Sequence, residues 1–211
     1  MLAKYWSQRL VEELTRLTVV DRRSYHRALK RAVDAWPSFL TAYLADREAS
    51  GKPIQWYEEP GLARGAYATV LSLTLRGSTS MDWYCLATGD ACVFQVRNGD
   101  LLAAHPLTCS GDFGTSPVLV PSRPVNWEAV KSKTQARAGT WEDGDLFLLA
   151  TDALGAWFLA EVEQGAKPWD ELRDLGTDEQ PPFEEWVANQ RDQGRLKDDD
   201  TTLVRIDMFS G

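Results

Sequence analysis

Asp152 and the run Asp198-Asp199-Asp200 are the residues whose type and placement in this chain can do chemistry. Asp152 follows Leu146-Phe147-Leu148-Leu149-Ala150, a continuous apolar run of the kind that forms a strand covered on both faces, introduced by the turn signal Glu142-Asp143-Gly144. Beyond it, Ala156, Trp157, Leu159 and Ala160 return at helical spacing, which predicts a strand-to-helix junction at the acid. Rigid elements on both sides aim a carboxylate well enough to serve a metal. An aspartate in that place equally suits an N-cap for a helix beginning near Ala153. The triple acid stands just before Leu203-Val204-Arg205-Ile206, a second strand pattern. Adjacent carboxylates repel one another unless a cation neutralises them, or they form a solvated acidic turn. Hard divalent cations take oxygen ligands, so Mg2+ or Mn2+ can be shared by aspartates carried on separate strand ends.

Other chemistries are poorly provided for. The histidines, His26 and His105, are isolated from each other, which argues against a histidine metal site or a Ser-His-Asp triad. Cys85, Cys92 and Cys109 are odd in number and lack CxxC spacing, so neither a disulfide framework nor a zinc site is expected, and all three are read as buried small hydrophobes. A net charge of −8 argues against nucleic-acid binding, which needs clustered Lys and Arg, and is compatible with cation binding. No apolar run approaches the roughly 18 to 20 residues that cross a bilayer, so no membrane role is expected, and the start Met1-Leu2-Ala3-Lys4-Tyr5-Trp6 lacks the layout of a secretion signal, pointing to the cytoplasm. The tryptophans are scattered, and nearly all read as core or rim packing.

The elements that must position the acids follow from periodicity. Trp6, Leu10, Leu14 and Leu17 form one stripe of a helix over residues 3–17. A second helix over about residues 22–48 carries Tyr25, Ala28, Leu29, Ala32, Val33 and Trp36 on one face, with Pro37 expected to kink or restart it. From Gly65 the period becomes strand-like: residues 66–75 with Thr69, Leu71, Leu73 and Leu75 on one face, a turn at residues 77–80, and a return over residues 82–87. A further hairpin, residues 92–96 with 101–104, turns on Asn98-Gly99. Residues 106–127, rich in Ser, Gly and Pro, read as a long surface excursion suited to substrate or partner contacts. Shorter helical patterns cover residues 169–175 and 183–193. The order predicts a single α+β domain over residues 1–211, with a helix pair in 1–50 and a sheet core with helices in 65–207.

Four motifs in this order resemble the metal-dependent protein phosphatases of type 2C, in particular their bacterial branch. Gly65-Ala66-Tyr67-Ala68-Thr69 is similar to that family's Gly-Ala-x-x-Thr strand, and Gly89-Asp90-Ala91 to its Gly-Asp-Ser. The run from Gly144 to Asp152 resembles its Gly-Asp-x-x-Leu-Leu-x-Ser-Asp-Gly, and Asp199-Asp200-Thr201-Thr202 its Asp-Asn-x-Thr. The resemblance implies two antiparallel sheets packed as a sandwich flanked by helices, with a pair of Mg2+ or Mn2+ ions whose bridging water attacks phosphoserine or phosphothreonine. Asp152 and Asp199 then correspond to metal ligands, Asp90 to support behind them, and Asp200 stands where the family has Asn, leaving the ligand open between Asp199 and Asp200.

The same resemblance implies an Asp-Gly metal motif and an early strand before the first helix, and nothing ahead of Trp6 matches them. Three readings follow: a phosphatase whose site is completed from elsewhere, a pseudophosphatase that binds a phosphoprotein or protein partner without turnover, and an unrelated α+β domain with chance acidic turns. An absent early strand would also leave a sheet edge open, so self-association or a partner that fills the gap is expected.

Overall fold

The computed structural model describes residues 2–77, 81–114, 116–176 and 182–209. The chain opens with α1 (Leu2–Arg16) and α2 (Arg22–Ala49). Asp21 starts α2: its carboxylate accepts the Ser24 amide at 2.6 Å while the Ser24 hydroxyl accepts the Asp21 amide at 3.2 Å, a reciprocal box that satisfies two otherwise orphan donors. The helix runs through Pro37 without restarting. Trp36, 2% exposed, meets Trp6 of α1 edge to face at 5.9 Å, so packing on both sides of the proline holds the helix on course. Buried Glu13 of α1 is neutralised by Arg9 at 2.6 Å and by Arg31 of α2 at 2.7 Å, which ties the two helices together.

After α3 (Glu59–Arg64) come β1 (Tyr67–Ala68), β2 (Val70–Arg76), β3 (Asp82–Thr88), β4 (Cys92–Arg97), β5 (Asp100–His105) and β6 (Val120–Pro121). Then follow α4 (Trp127–Lys133), β7 (Gln135–Thr140), β8 (Leu146–Ala150), α5 (Asp152–Glu163), α6 (Pro168–Asp174), α7 (Phe183–Asp192) and β9 (Leu203–Asp207). Two antiparallel sheets result, ordered β2-β3-β7 and β5-β4-β8-β9, with β1 and β6 as a separate short pair. The turn expected at residues 77–80 lies outside the described residues except for Gly77, as does most of the stretch between α6 and α7.

Strand alternation sorts side chains into three cores. Leu71, Leu73 and Leu75 of β2 face Trp83, Cys85, Val93 and Phe147 between the sheets. Val70 and Leu86 turn the other way, onto Trp6, Tyr25 and Leu29 of the first two helices. Phe94, Val96, Leu146 and Leu148 turn outward onto Leu154, Phe158, Trp169 and Trp186. The architecture is therefore α+β in four layers, with helices on both faces of an antiparallel sandwich.

Two sequence expectations are corrected. Cys109 is exposed, whereas Cys85 and Cys92 are buried. The segment 106–127 is not wholly superficial: Val120 and Ser122 are buried because β6 pairs with β1 and the Val120 carbonyl accepts from the Trp6 indole at 3.1 Å. Its last residue, Trp127, begins α4, a helix that no periodic pattern announced.

Candidate active site at one end of the sandwich

The register of the larger sheet gathers the acids. Cys92, where β4 starts, lies opposite Ala150, where β8 ends, and Ala150 lies opposite Leu203, where β9 starts. Asp90, Asp152 and Asp199 therefore leave the sheet at one end, carried by three different connections. Asp152 is the first residue of α5 and not its cap; the cap position belongs to Thr151, whose side chain does no capping. The Thr151 hydroxyl instead donates to the Asp200 carbonyl at 3.1 Å and accepts the Thr202 amide at 3.0 Å, while the Thr151 amide donates to the Thr202 carbonyl at 3.3 Å. One threonine thus fastens the β8–α5 junction to the approach of β9.

Asp90 is placed by a second threonine. Thr69, in the break between β1 and β2, accepts the amides of Asp90 at 3.1 Å and Ala91 at 3.2 Å on its hydroxyl oxygen. The intervening Gly89 has φ 109°, and a Cβ there would lie 2.2 Å from that hydroxyl, so the turn admits only glycine. Behind it, Tyr25 of α2 donates to the Thr88 hydroxyl at 3.1 Å, and Thr88 shares a hydrogen bond with Thr134 at 3.0 Å. Burial, and next the charge of Asp152, raise the Asp90 carboxyl above the usual carboxylate range.

Lys197 is the common neighbour of the acids. Its ammonium donates to the Asp199 carboxylate at 3.1 Å. That bond to Asp199 comes first among the influences that raise the lysine above its ordinary value, and the charges of Asp152 and Asp90 add to it. The same lysine, with the Asp200 amide, holds Asp199 below the usual range. Asp198 points elsewhere, to Arg191 at 3.6 Å. A cavity of about 560 Å³ opens between Asp90, Asp152 and Lys197 on one side and Phe113, Ser116 and Pro117 on the other. This wall comes from the Ser/Gly/Pro-rich segment, which is tied to α5 by Ser110, whose amide and hydroxyl donate to Glu163 at 2.7 and 2.5 Å. Phe113 also packs against α5, where a Cβ on Gly155 would come within 3.0 Å of its ring.

Hard carboxylate oxygens suit a divalent cation in chemistry. In number they fall short: among the described residues no three His, Cys, Asp or Glu side chains come together closely enough to hold an ion. Sequence reading singled out Asp152, Asp199 and Asp90, and the structure places all three at one end. It missed Thr69 as a turn anchor, Thr151 as a staple and Lys197 as a counter-ion, because each acts on residues remote in the chain or carries no pattern of its own.

No family model matches the sequence, and no curated protein matches it. Solved structures do. PppA, a key regulatory component of T6SS in Pseudomonas aeruginosa, is 20% identical, with 97% of this chain and 79% of that one covered and a TM-score of 0.49. The serine/threonine phosphatase PstP/Ppp of Mycobacterium tuberculosis is 14% identical, with 72% and 63% covered and a TM-score of 0.42, so this chain spans less than two thirds of that one. The phosphatase domain of the cell fate determinant SpoIIE from Bacillus subtilis is 12% identical, with 99% and 72% covered and a TM-score of 0.40. No helix among the described residues is long and apolar enough to cross a membrane.

Proposed function

We propose that this chain is a type 2C phosphatase-like protein whose acidic end is a metal-dependent phosphoester site, active when a further carboxylate completes it. The observation that supports this reading is the convergence of Asp90, Asp152 and Asp199 from three separate connections beside one open cavity. Asp152 and Asp199 would hold the ion, Mg2+ or Mn2+, and Asp90 would stand behind them. A bound divalent ion lowers the pKa of its water towards neutrality and offsets phosphoryl charge. The chain's own residues orient and exclude: Thr151 and Thr69 hold the acids in place, and Phe113 with Pro117 walls the cavity. Without a cation the cavity, lined by the carboxylates of Asp90 and Asp152 against the Lys197 ammonium that Asp199 already engages, repels a phosphate group.

Hydrolysis of p-nitrophenyl phosphate with and without millimolar Mn2+, by the chain and by Asp152→Asn, tests the proposal. Where a second copy or a partner supplies the further carboxylate, turnover that needs Mn2+ and disappears in Asp152→Asn is the expected result. Turnover indifferent to both would sink it.

Lys197 favours a second reading. Its ammonium already satisfies Asp199 and lies in the field of the other two acids, so the cleft can persist without a metal and receive a protein partner that is not turned over. Absence of Mn2+-dependent turnover, with Lys197→Ala unable to restore it, would select this pseudophosphatase reading.

A further inference from the structure

The free edge of β9 is the most open feature outside the cleft. Met208 exchanges hydrogen bonds with the β8 side, its amide donating to Asp145 and its carbonyl accepting from Gly144, both at 2.9 Å, and Thr202 accepts from Thr151 at 3.3 Å. Backbone groups alternate along a strand, so Val204 and Ile206 also turn towards β8, and Leu203, Arg205 and Asp207 turn their N–H and C=O groups away from it. Among the described residues no strand pairs on that side. Beside it runs a groove of about 730 Å³, bounded by β2, the edge strand of the other sheet, and by Val11 and Leu14 of α1. Val204 and Ile206 point into it, next to Leu71 and Leu73, and Val204 is 46% exposed.

We infer that β9 pairs antiparallel with β9 of a second copy of this chain, about a two-fold axis at Ile206. The charges choose that register. With Ile206 opposite its own copy, Arg205 lies opposite Asp207 and Asp207 opposite Arg205, and Leu203 faces Phe209, itself 77% exposed. A shift that centres the axis on Arg205 sets two guanidinium groups against each other and leaves each Asp207 facing a leucine. The backbone parity agrees, because Arg205 and Asp207 are both outward-bonding residues and so form hydrogen-bonded pairs across the axis. Opposed residues share a sheet face, so each copy's Val204 and Ile206 enter the other's apolar groove. Arg205 is held ready by its own Asp207 at 3.6 Å and by the Leu175 carbonyl at 3.4 Å. The result is one eight-stranded sheet across two copies, an isologous interface that removes the open edge. This inference does not depend on the chemistry of the cleft.

Light scattering of the purified chain over a hundredfold range of concentration tests it, together with Arg205→Asp and Asp207→Arg. A dimer is expected for the parent chain. Each single change puts like charges opposite each other and is expected to weaken the dimer at least tenfold, whereas an equimolar mixture of the two variants restores opposite charges at both positions and recovers a heterodimer. A parent chain that stays monomeric throughout overturns the proposal, as does a dimer that neither variant disturbs, or a mixture that fails to recover while both variants keep their near-UV circular dichroism. Amide exchange on the parent chain provides a check free of folding defects: the Leu203, Arg205 and Asp207 amides gain protection with concentration if the pairing is right. Protection that is independent of concentration means a different occupant and refutes the second copy.

Discussion

Thr69 shows how much one hydroxyl can decide. Its oxygen takes two successive amides, those of Asp90 and Ala91, so the isosteric Thr69→Val leaves two half-buried donors without a partner. A loss of about 1–3 kcal/mol is expected in urea unfolding, with faster exchange of the Asp90 amide; a variant as stable as the parent would show that the turn holds itself. His105 provides a pH signature of its own. It is 6% exposed, and burial first, with Arg137 next, pushes it from 6.5 down to about 4, against a backbone hydrogen bond with Gln135. Below pH 6.5 the unfolded chain therefore holds the extra proton that the folded chain refuses, so stability is full above that value and is lost as the pH falls towards 4. The loss is roughly 3 kcal/mol, and denaturation midpoints of the parent and His105→Gln should diverge over that range. At this scale the site was half legible. Asp152 and Asp199 carry local signatures, an apolar run before one and a strand after the other. Thr151 and Lys197 do not: a single hydroxyl or ammonium shows its partner only after the chain has folded.

Elements were easier to read than the bonds between them. The amphipathic stripe through Trp6 and Leu10 and the face from Tyr25 to Trp36 were visible because burial on one side imposes the period. Pro37 does not restart the helix, because the aromatic packing of Trp36 and Phe39 on Tyr5, which meets Phe39 at a centroid distance of 3.4 Å, offsets its local cost. The two-residue strand β6 was beyond reach, since a strand that short has no period to detect, whereas β1 falls inside the strand expected over residues 66–75, which the structure breaks at Thr69. Asp145, inside the run that marks β8, shows a second kind of invisibility. It is buried and accepts from Arg97 twice at 2.8 Å, from Gln95 at 2.7 Å and from the Glu142 amide at 3.0 Å. Burial alone would raise its carboxyl, but these bonds outweigh it and hold it below the usual range. Asp145→Ala strands Arg97 and Gln95 at the β7–β8 corner, and a loss of about 3 kcal/mol is expected in thermal or urea unfolding. A change within a few tenths of that of a surface substitution would mean that water replaces the carboxylate there.

At the scale of the whole molecule, the α+β class was legible because helices and strands segregate along the chain, and the sandwich was legible only through the family resemblance of the motifs. The open flank was legible only in outline. That β2 and β9 border one groove follows from the way the two sheets stack, which no local pattern records. The net charge of −8 adds a general repulsion between copies, so the dimer should tighten with added salt until the cross-strand Arg205–Asp207 pairs are themselves screened. The Thr151 staple also has a consequence in time. Its partners, Asp200 and Thr202, lie 49 and 51 residues further along the chain. A ribosome adding roughly 5–20 residues per second takes several seconds to cover that distance. During synthesis, therefore, Asp152 emerges and waits without Asp199 beside it, and the acidic end of the sandwich stays unassembled until β9 has been made and has found β8.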